Sequence, residues 1–117
     1  MLSRIAQEFA AEIANHDWSD APYRLDRAGH SRADDTNRGP RVLSPDEADH
    51  VRTNVMWVTA QVLLHADPNL DPHEFAEACG VPRRITHNRD GRPSGGITAG
   101  LRMSDGRALR PGPRPTA

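Results

Sequence analysis

The sequence of residues 44–66, SPDEADHVRTNVMWVTAQVLLHA, carries the clearest structural signal in this chain of 117 residues. Ser44 supplies a capping hydroxyl, Pro45 suits the first helical position, and Glu47 completes a capping box. Apolar residues then recur every three or four positions along one face, at Ala48, Val51, Val55, Val58 and Val62. More of them follow on other faces: Met56, Trp57, Ala60, Leu63 and Leu64. The pattern predicts a long central helix whose second half is covered from several sides.

Two shorter helices are predicted, one on each side of the central helix. Residues 2–16 place apolar side chains on one face, at Leu2, Ile5, Phe9 and Ile13. Asp71-Pro72 repeats the cap and first-turn proline, and Gly80 ends a helix over residues 72–79. Phe75, Ala76 and Cys79 are expected to face inward from this helix. The predicted fold class is therefore mainly α, a small domain of three to four helices.

Residues 17–43 form a polar connection between the first helix and the central one. They mix Asp, Arg, Gly, Pro and Asn with isolated apolar residues. A connection of this length without structure of its own is either functional or disordered. Trp18 and Tyr23 are the predicted anchors if the loop is ordered, and they are also the candidate partner-binding residues, because aromatic side chains anchor interfaces.

Charge is divided unevenly along the chain. Residues 81–117 contain eight arginines and two aspartates, a net charge of +6. Residues 1–80 contain seven arginines and fourteen acids, a net charge of −7, so the total of −1 conceals the asymmetry. The sequence predicts an acidic helical body over residues 1–80 and a basic, partly flexible segment over residues 81–117. Such asymmetry is typical of a chain that meets a polyanion or an acidic protein.

The basic segment contains two turn signals, Asp90-Gly91 and Asp105-Gly106. Asp-Gly is a favoured connection of a two-residue hairpin, so residues 101–104 and 107–110 are expected to pair across the second turn. The resulting ribbon would carry arginines, as a wing does. Residues 110–115, rich in proline, predict an extended flexible tail.

The run from Glu74 to Arg84, EFAEACGVPRR, resembles the first half of a helix-turn-helix. Ala76, Gly80 and Val81 occupy the places of the small residue, the turn glycine and the apolar residue after it. The following Asp90-Gly91-Arg92-Pro93 is similar to the segment before the wing in excisionase and MerR-like winged proteins. The resemblance implies a DNA-binding protein, but the family's apolar recognition-helix positions hold Thr86 and Arg89 here. An αα-hairpin is the alternative for the same residues.

Catalytic and metal chemistry are not predicted. None of the six histidines has another histidine four residues away, and Cys79 is the single cysteine, so neither a metal nor a cofactor is expected. His30 with Asp34-Asp35 is expected to be solvated in its polar loop. No apolar run is long enough to span a membrane, and glutamates interrupt the N-terminus, which together predict a cytoplasmic protein.

Three functions remain open from the sequence. The first is a small non-enzymatic nucleic-acid-binding or regulatory protein that contacts double-stranded DNA. The second is a modulator, such as a phage-type accessory protein or inhibitor, that binds a host protein, and the third is a structural or assembly subunit. The small core also favours a partner or a homodimer. The predicted nucleic-acid contacts are Arg83, Arg84, His87, Arg89, Arg92, Arg102, Arg107 and Arg110. Arginine as the only long cation is typical of GC-rich coding, as in actinobacteria and their phages.

Overall fold

The computed structural model describes residues 1–113 and is mainly helical, with a short antiparallel hairpin near its end. The helices are α1 (Arg4–Asn15), α2 (Pro45–Ala66), α3 (Pro72–Ala78), α4 (Arg83–Thr86) and α5 (Gly96–Ala99). A turn of 3-10 helix lies at Arg32–Asp34, and the hairpin strands are β1 (Met103–Ser104) and β2 (Arg107–Ala108). The predicted mainly α fold class and its C-terminal hairpin are confirmed. Part of the predicted tail, residues 114–117, lies outside the described residues.

The helix starts follow the capping signals in the sequence. The Ser44 hydroxyl accepts a hydrogen bond from the Glu47 amide at 3.2 Å, and the Glu47 carboxylate accepts one from the Ser44 amide at 2.9 Å. The bond from the Ser44 amide lowers the pKa of Glu47 because it stabilises the ionised carboxylate. The Asp71 carboxylate caps α3 in the same way, by accepting from the amides of His73 and Glu74. Local chemistry therefore fixes where α2 and α3 begin.

Helix α1 packs on α2 and α3 through a different face from the one predicted. Its buried residues are Ala6, Ala10 and Ile13, whereas Ile5 is 53% exposed and Phe9 45% exposed. The prediction that Ile5 and Phe9 face the core is wrong. Small side chains at the contact let helix backbones approach closely, and this seam is built on alanines rather than on the largest apolar residues.

The buried face of α2 is also shifted from the prediction. Val58 is 72% exposed and Val62 48% exposed, so the predicted valine face is not the core face. The buried residues are Thr53, Met56, Ala60, Gln61 and Leu64. This buried face is rotated about the helix axis by roughly one residue, about 100°, from the predicted valine face. Helices α1 and α3 and the C-terminal segment cover it. Met56, Ala60 and Leu64 lie on one stripe of the second half of α2, so the helix is buried along a single broad face and the predicted cover from several sides does not extend to Val58 and Val62.

Residues 17–43 are ordered around a buried ionic network. The carboxylate of Asp20, 1% exposed, lies 3.0 Å from Nε2 of buried His30 and within 3.7 and 3.8 Å of the guanidinium groups of Arg24 and Arg32. Arg24 also pairs with Asp35. The expectation of solvation is wrong for His30 and Asp35, because paired charges can be buried where single ones cannot, whereas Asp34 is exposed as expected.

No helix within residues 1–113 is both long and apolar enough to cross a membrane.

Candidate functional site

The basic segment is fastened to the helices by a shared core and by Trp57. Ile97 and Leu101 are buried in the same cluster as the helix residues. The indole N–H of Trp57 donates to the carbonyl oxygen of Ile97 at 2.9 Å. Gly100 lies so close to the ring that a Cβ there would be 2.3 Å from Cε2 of Trp57. The division between residues 1–80 and the rest is therefore a division of charge, and apolar packing continues across it.

A buried glutamine on α2 holds the residues that flank the hairpin on both sides. Oε1 of Gln61 accepts from the amide of Arg102 at 2.8 Å, and its Nε2 donates to the carbonyl of Arg102 at 3.0 Å and to that of Leu109 at 2.9 Å. Sequence reasoning missed this residue. The available signal was a lone amide within the apolar second half of α2, where a buried polar group needs partners.

Both Asp-Gly pairs form turns, as the sequence predicts. Asp105 and Gly106 have φ of 53° and 76°, and they connect β1 to β2 with Ser104 opposite Arg107. Gly91 has φ of 86° in the other turn, where the amide of Asn88 donates to the carbonyl of Arg92 at 2.8 Å. Two short turns therefore present arginines from a backbone that is itself hydrogen bonded.

Most of the predicted arginines have no acidic partner. Among residues 1–113, no carboxylate lies within 4.0 Å of the guanidinium groups of Arg83, Arg89, Arg102, Arg107 and Arg110. Arg92 lies 3.8 Å from Asp90, and both side chains are largely exposed. Exposed pairs of this kind contribute little. These six side chains keep their positive charge available to a ligand.

Arg84 and His87 differ from the other predicted contacts. The guanidinium group of Arg84 lies 2.6 Å from Asp49 and 3.0 Å from Asp46 on α2, and the hydrogen bond to Asp49 raises the pKa of Arg84. Its charge is therefore matched within the protein. The His87 ring is largely buried and turns toward Glu77 on α3. Neither side chain is as available to an outside anion as the six arginines.

Helix α4 consists of one turn, Arg83–Thr86. Thr86 is buried and Ile85 packs against the core, so the inward side of this turn is occupied by these two residues. Arg83 is exposed and lies near the backbone of Gly91. The turn brings one arginine of α4 next to the loop that carries Arg89 and Arg92.

The two aromatic candidates in the polar loop have different surroundings. Trp18 packs against the core, and its indole N–H donates to the carbonyl of Ile13 at 3.0 Å. Tyr23 is exposed, and the guanidinium group of Arg41 lies 4.5 Å from its ring centre. Tyr23 is the member of the pair that a partner can reach directly.

Two groups of side chains in residues 1–113 have the composition of a metal site. One is Asp20, Asp26 and His30 in the polar loop, and the other is His73, Glu77 and His87 beside α3 and α4. Cys79 belongs to neither group. It is fully buried, as predicted, and burial raises the pKa of its thiol to about 12, which keeps it protonated.

Comparison of the chain with protein-family models, curated proteins and solved structures gives no match.

Proposed function

We propose that the protein is a small non-enzymatic nucleic-acid-binding protein of the cytoplasm that holds the phosphate backbone of double-stranded DNA with its basic C-terminal segment. The observation that carries the proposal is that most arginines between Val81 and Pro113 have no carboxylate partner in the described part of the chain. Two of the seven, Arg84 and Arg92, lie within 4.0 Å of a carboxylate of the described chain. Unmatched guanidinium groups suit phosphate because they bind its oxygens in a bidentate manner.

The anchoring of the segment supports the same function. Trp57 and Gln61 hold its backbone through hydrogen bonds to main-chain atoms, and these bonds leave the arginine side chains unengaged. A fixed backbone reduces the conformational entropy that is lost when a phosphate is bound. An interface with phosphate needs a backbone that is held without using its charged side chains, and these hydrogen bonds hold it in that way.

The helix-turn-helix resemblance gives a docking arrangement for this proposal. Helices α3 and α4 with the turn at Gly80 would be the two helices, and β1 with β2 would be the wing. Because α4 has a single turn, it offers few side chains to base edges. The expected contacts are therefore mainly with phosphates, and binding is expected to depend weakly on DNA sequence.

The experiment is fluorescence anisotropy with labelled duplex DNA of random sequence over a range of salt concentrations. The test variant is Arg89→Gln/Arg107→Gln, which removes one arginine from each basic turn. Because each lost phosphate contact lowers the salt dependence by about one unit, we expect the slope of log K against log salt to fall by about 2.

The matched control is Arg27→Gln/Arg38→Gln, which removes the same charge from the polar loop. Both of these arginines are exposed and lack a carboxylate within 4.0 Å among the residues described. The control should bind DNA nearly as the unmodified protein does. Equal losses in the two variants would show that only net charge matters, and salt-independent binding would refute the electrostatic basis of the proposal.

A second candidate function is modulation of a host protein, and exposed apolar side chains favour it. Ile5 and Phe9 on α1 and Val58 and Val62 on α2 are all more than two-fifths exposed. Large exposed apolar residues mark protein interaction surfaces when they lie together. Co-purification of a protein that is lost in an Ile5→Ser/Phe9→Ser variant, without a change in DNA affinity, would favour this function.

A further inference from the structure

Three potential metal ligands converge where α3 meets the end of α4. His73 and Glu77 lie one helical turn apart on α3, and His87 directly follows α4. Oε1 of Glu77 is 3.8 Å from Nδ1 of His73 and 3.6 Å from Nε2 of His87. One ligand atom from each residue lies within 4.8 Å of the other two. The three side chains therefore face a common point.

A single buried residue orients both imidazole rings. Nε2 of His73 donates to the carbonyl oxygen of Thr86 at 2.7 Å, and Nδ1 of His87 is 2.8 Å from the hydroxyl of Thr86. A carbonyl can only accept, so the proton of His73 is on Nε2 and the lone pair of the neutral ring is on Nδ1, which faces Glu77. Histidine ligands of metals are held in this way, with the remote nitrogen bonded to an outer oxygen.

The separations suit a small transition-metal ion. Zn²⁺ binds nitrogen and oxygen at about 2.0–2.2 Å, and tetrahedral geometry places such ligand atoms about 3.4 Å apart. The distances from Oε1 of Glu77 to the two imidazole nitrogens, 3.8 and 3.6 Å, exceed this value by a few tenths of an ångström. Glu77 is half exposed and can rotate to shorten both of these distances, whereas the two imidazole nitrogens, which lie within 4.8 Å of each other, set how far the rings must shift.

The second group in the polar loop is different because its negative charge is already matched. Asp20 lies within 4.0 Å of the guanidinium groups of Arg24 and Arg32 as well as of His30. The two guanidinium groups already balance the negative charge that a metal ion would need. Around His73, Glu77 and His87, by contrast, no arginine lies within 4.0 Å of the Glu77 carboxylate among residues 1–113.

We propose that His73, Glu77 and His87 bind a Zn²⁺ ion through Nδ1, a carboxylate oxygen and Nε2, with a fourth coordination position open to water. The ion would join α3 to the residue after α4, and so it would fasten the single turn that carries Arg83. The proposal departs from the sequence-based expectation of no metal. That expectation considered histidine pairs four residues apart and overlooked a histidine and a glutamate at the same spacing.

The test is a Zn²⁺ titration of metal-free, untagged protein in competition with a chromophoric chelator, beside Co²⁺ titration followed by visible absorption. We expect one ion per chain, d–d bands typical of a nitrogen and oxygen site of low coordination number, and a melting temperature that rises with Zn²⁺. Glu77→Gln should lower the affinity at least about 10-fold, since a neutral amide is a poor ligand. His87→Ala should abolish one-to-one binding.

The matched control is His50→Ala, which removes an exposed histidine from α2. Circular dichroism of each variant checks the fold, and Glu77→Gln keeps the test decisive if His87→Ala is unstable, because the Glu77 side chain is half exposed. Absence of saturable Zn²⁺ binding in the micromolar range would overturn the proposal. So would unchanged affinity in Glu77→Gln or an equal loss in His50→Ala.

Discussion

The polar loop of residues 17–43 and the basic segment of residues 81–113 are both irregular, rich in arginine and attached to the same helices, yet they use charge in opposite ways. The loop turns part of its charge inward, where Asp20 pairs with His30, Arg24 and Arg32, while Arg27 and Arg38 stay exposed. The basic segment is held by apolar packing and by neutral donors, those of Trp57 and Gln61.

The difference shows how a short chain can keep one set of arginines structural and another available. A guanidinium group that already faces a buried carboxylate gains little from an added phosphate. One that projects from a backbone fixed by other means retains its full attraction. The contacts that hold each region therefore determine whether its arginines are paired or available. Substitutions at the ionic contacts of the loop and at the neutral contacts of the basic segment are expected to have different effects.

The largest effect is expected from Asp20→Asn in the polar loop. Loss of this charge leaves His30, Arg24 and Arg32 without their shared carboxylate, and breaking a buried ion pair costs about 3 kcal/mol. Urea unfolding measures the change. Asp34→Asn, at an exposed aspartate of the same loop, should change stability by less than about 0.5 kcal/mol. Equal effects would mean that the network does not hold the loop.

The next effect concerns the neutral anchor of the basic segment. Gly100→Ala places a Cβ 2.3 Å from the Trp57 ring, so the segment must shift. Overpacking of this kind costs about 2 kcal/mol, measured by thermal or urea unfolding. Gly95→Ala is the control, since nothing lies within 4 Å of its added Cβ and its φ is −67°. A stable Gly100→Ala protein would contradict the close packing.

A smaller effect on stability is expected from Gln61→Met. The substitution removes three hydrogen bonds to Arg102 and Leu109 while it keeps a similar volume, which at about 0.5 kcal/mol per bond should cost about 1.5 kcal/mol. Hydrogen exchange should accelerate at the amides of these two residues and leave α1 unchanged. Gln7→Met, which removes a bond to Leu2 near the N-terminus, is the comparison. Faster exchange throughout would argue against a local clamp.

The last effect is a dependence of stability on pH that belongs to the polar loop and is confined to acid conditions. Burial raises the pKa of Asp17, but hydrogen bonds from Ser19 and Arg32 outweigh it and lower the value from 3.8 to about 2. The folded state thus binds fewer protons than the unfolded state, so this contribution to stability is complete above about pH 4 and is lost as the pH falls toward 2.

Carboxyl NMR titration measures the Asp17 pKa directly. The destabilisation caused by Asp17→Asn should be larger near pH 5 than near pH 2. At the lower pH the unmodified protein has itself lost the stability that the ionised Asp17 carboxylate contributes. A constant difference across this range would show that the carboxylate is not preferentially ionised in the folded protein.

The sequence predicts the elements whose causes are local. Ser44 with Glu47, Asp71 with Pro72, and Asp105-Gly106 act within a few residues, and the helix starts and the hairpin turn were predicted from them. The facing of the helices depends on partners. Phe9 is the larger apolar residue, but Ala10 is buried and Phe9 is 45% exposed, because the positions of α2 and α3 decide which face of α1 is covered.

The features around the candidate sites depend on distant residues, and this is why sequence reasoning missed them. Gln61 meets its hydrogen-bond partners 41 and 48 residues later. His87 meets Glu77 only because the chain reverses at Gly80, whose φ is 82°. The excess of arginine over acid predicts that a residue such as Arg107 has no carboxylate partner within the described chain. The pairing of Arg84 with Asp49 depends on a contact between α4 and α2 that only the fold shows.

Trp18 lies in the polar loop, and Trp57 on α2 contacts the basic segment, which gives the protein one intrinsic optical reporter for each region. The Trp18 indole is bonded to the end of α1, and the Trp57 indole is bonded to the basic segment. In a Trp18→Phe chain the remaining emission follows the contact between α2 and the basic segment, and in a Trp57→Phe chain it follows the contact between the loop and α1. Coincident emission changes would identify one cooperative unit, and separate ones would identify two.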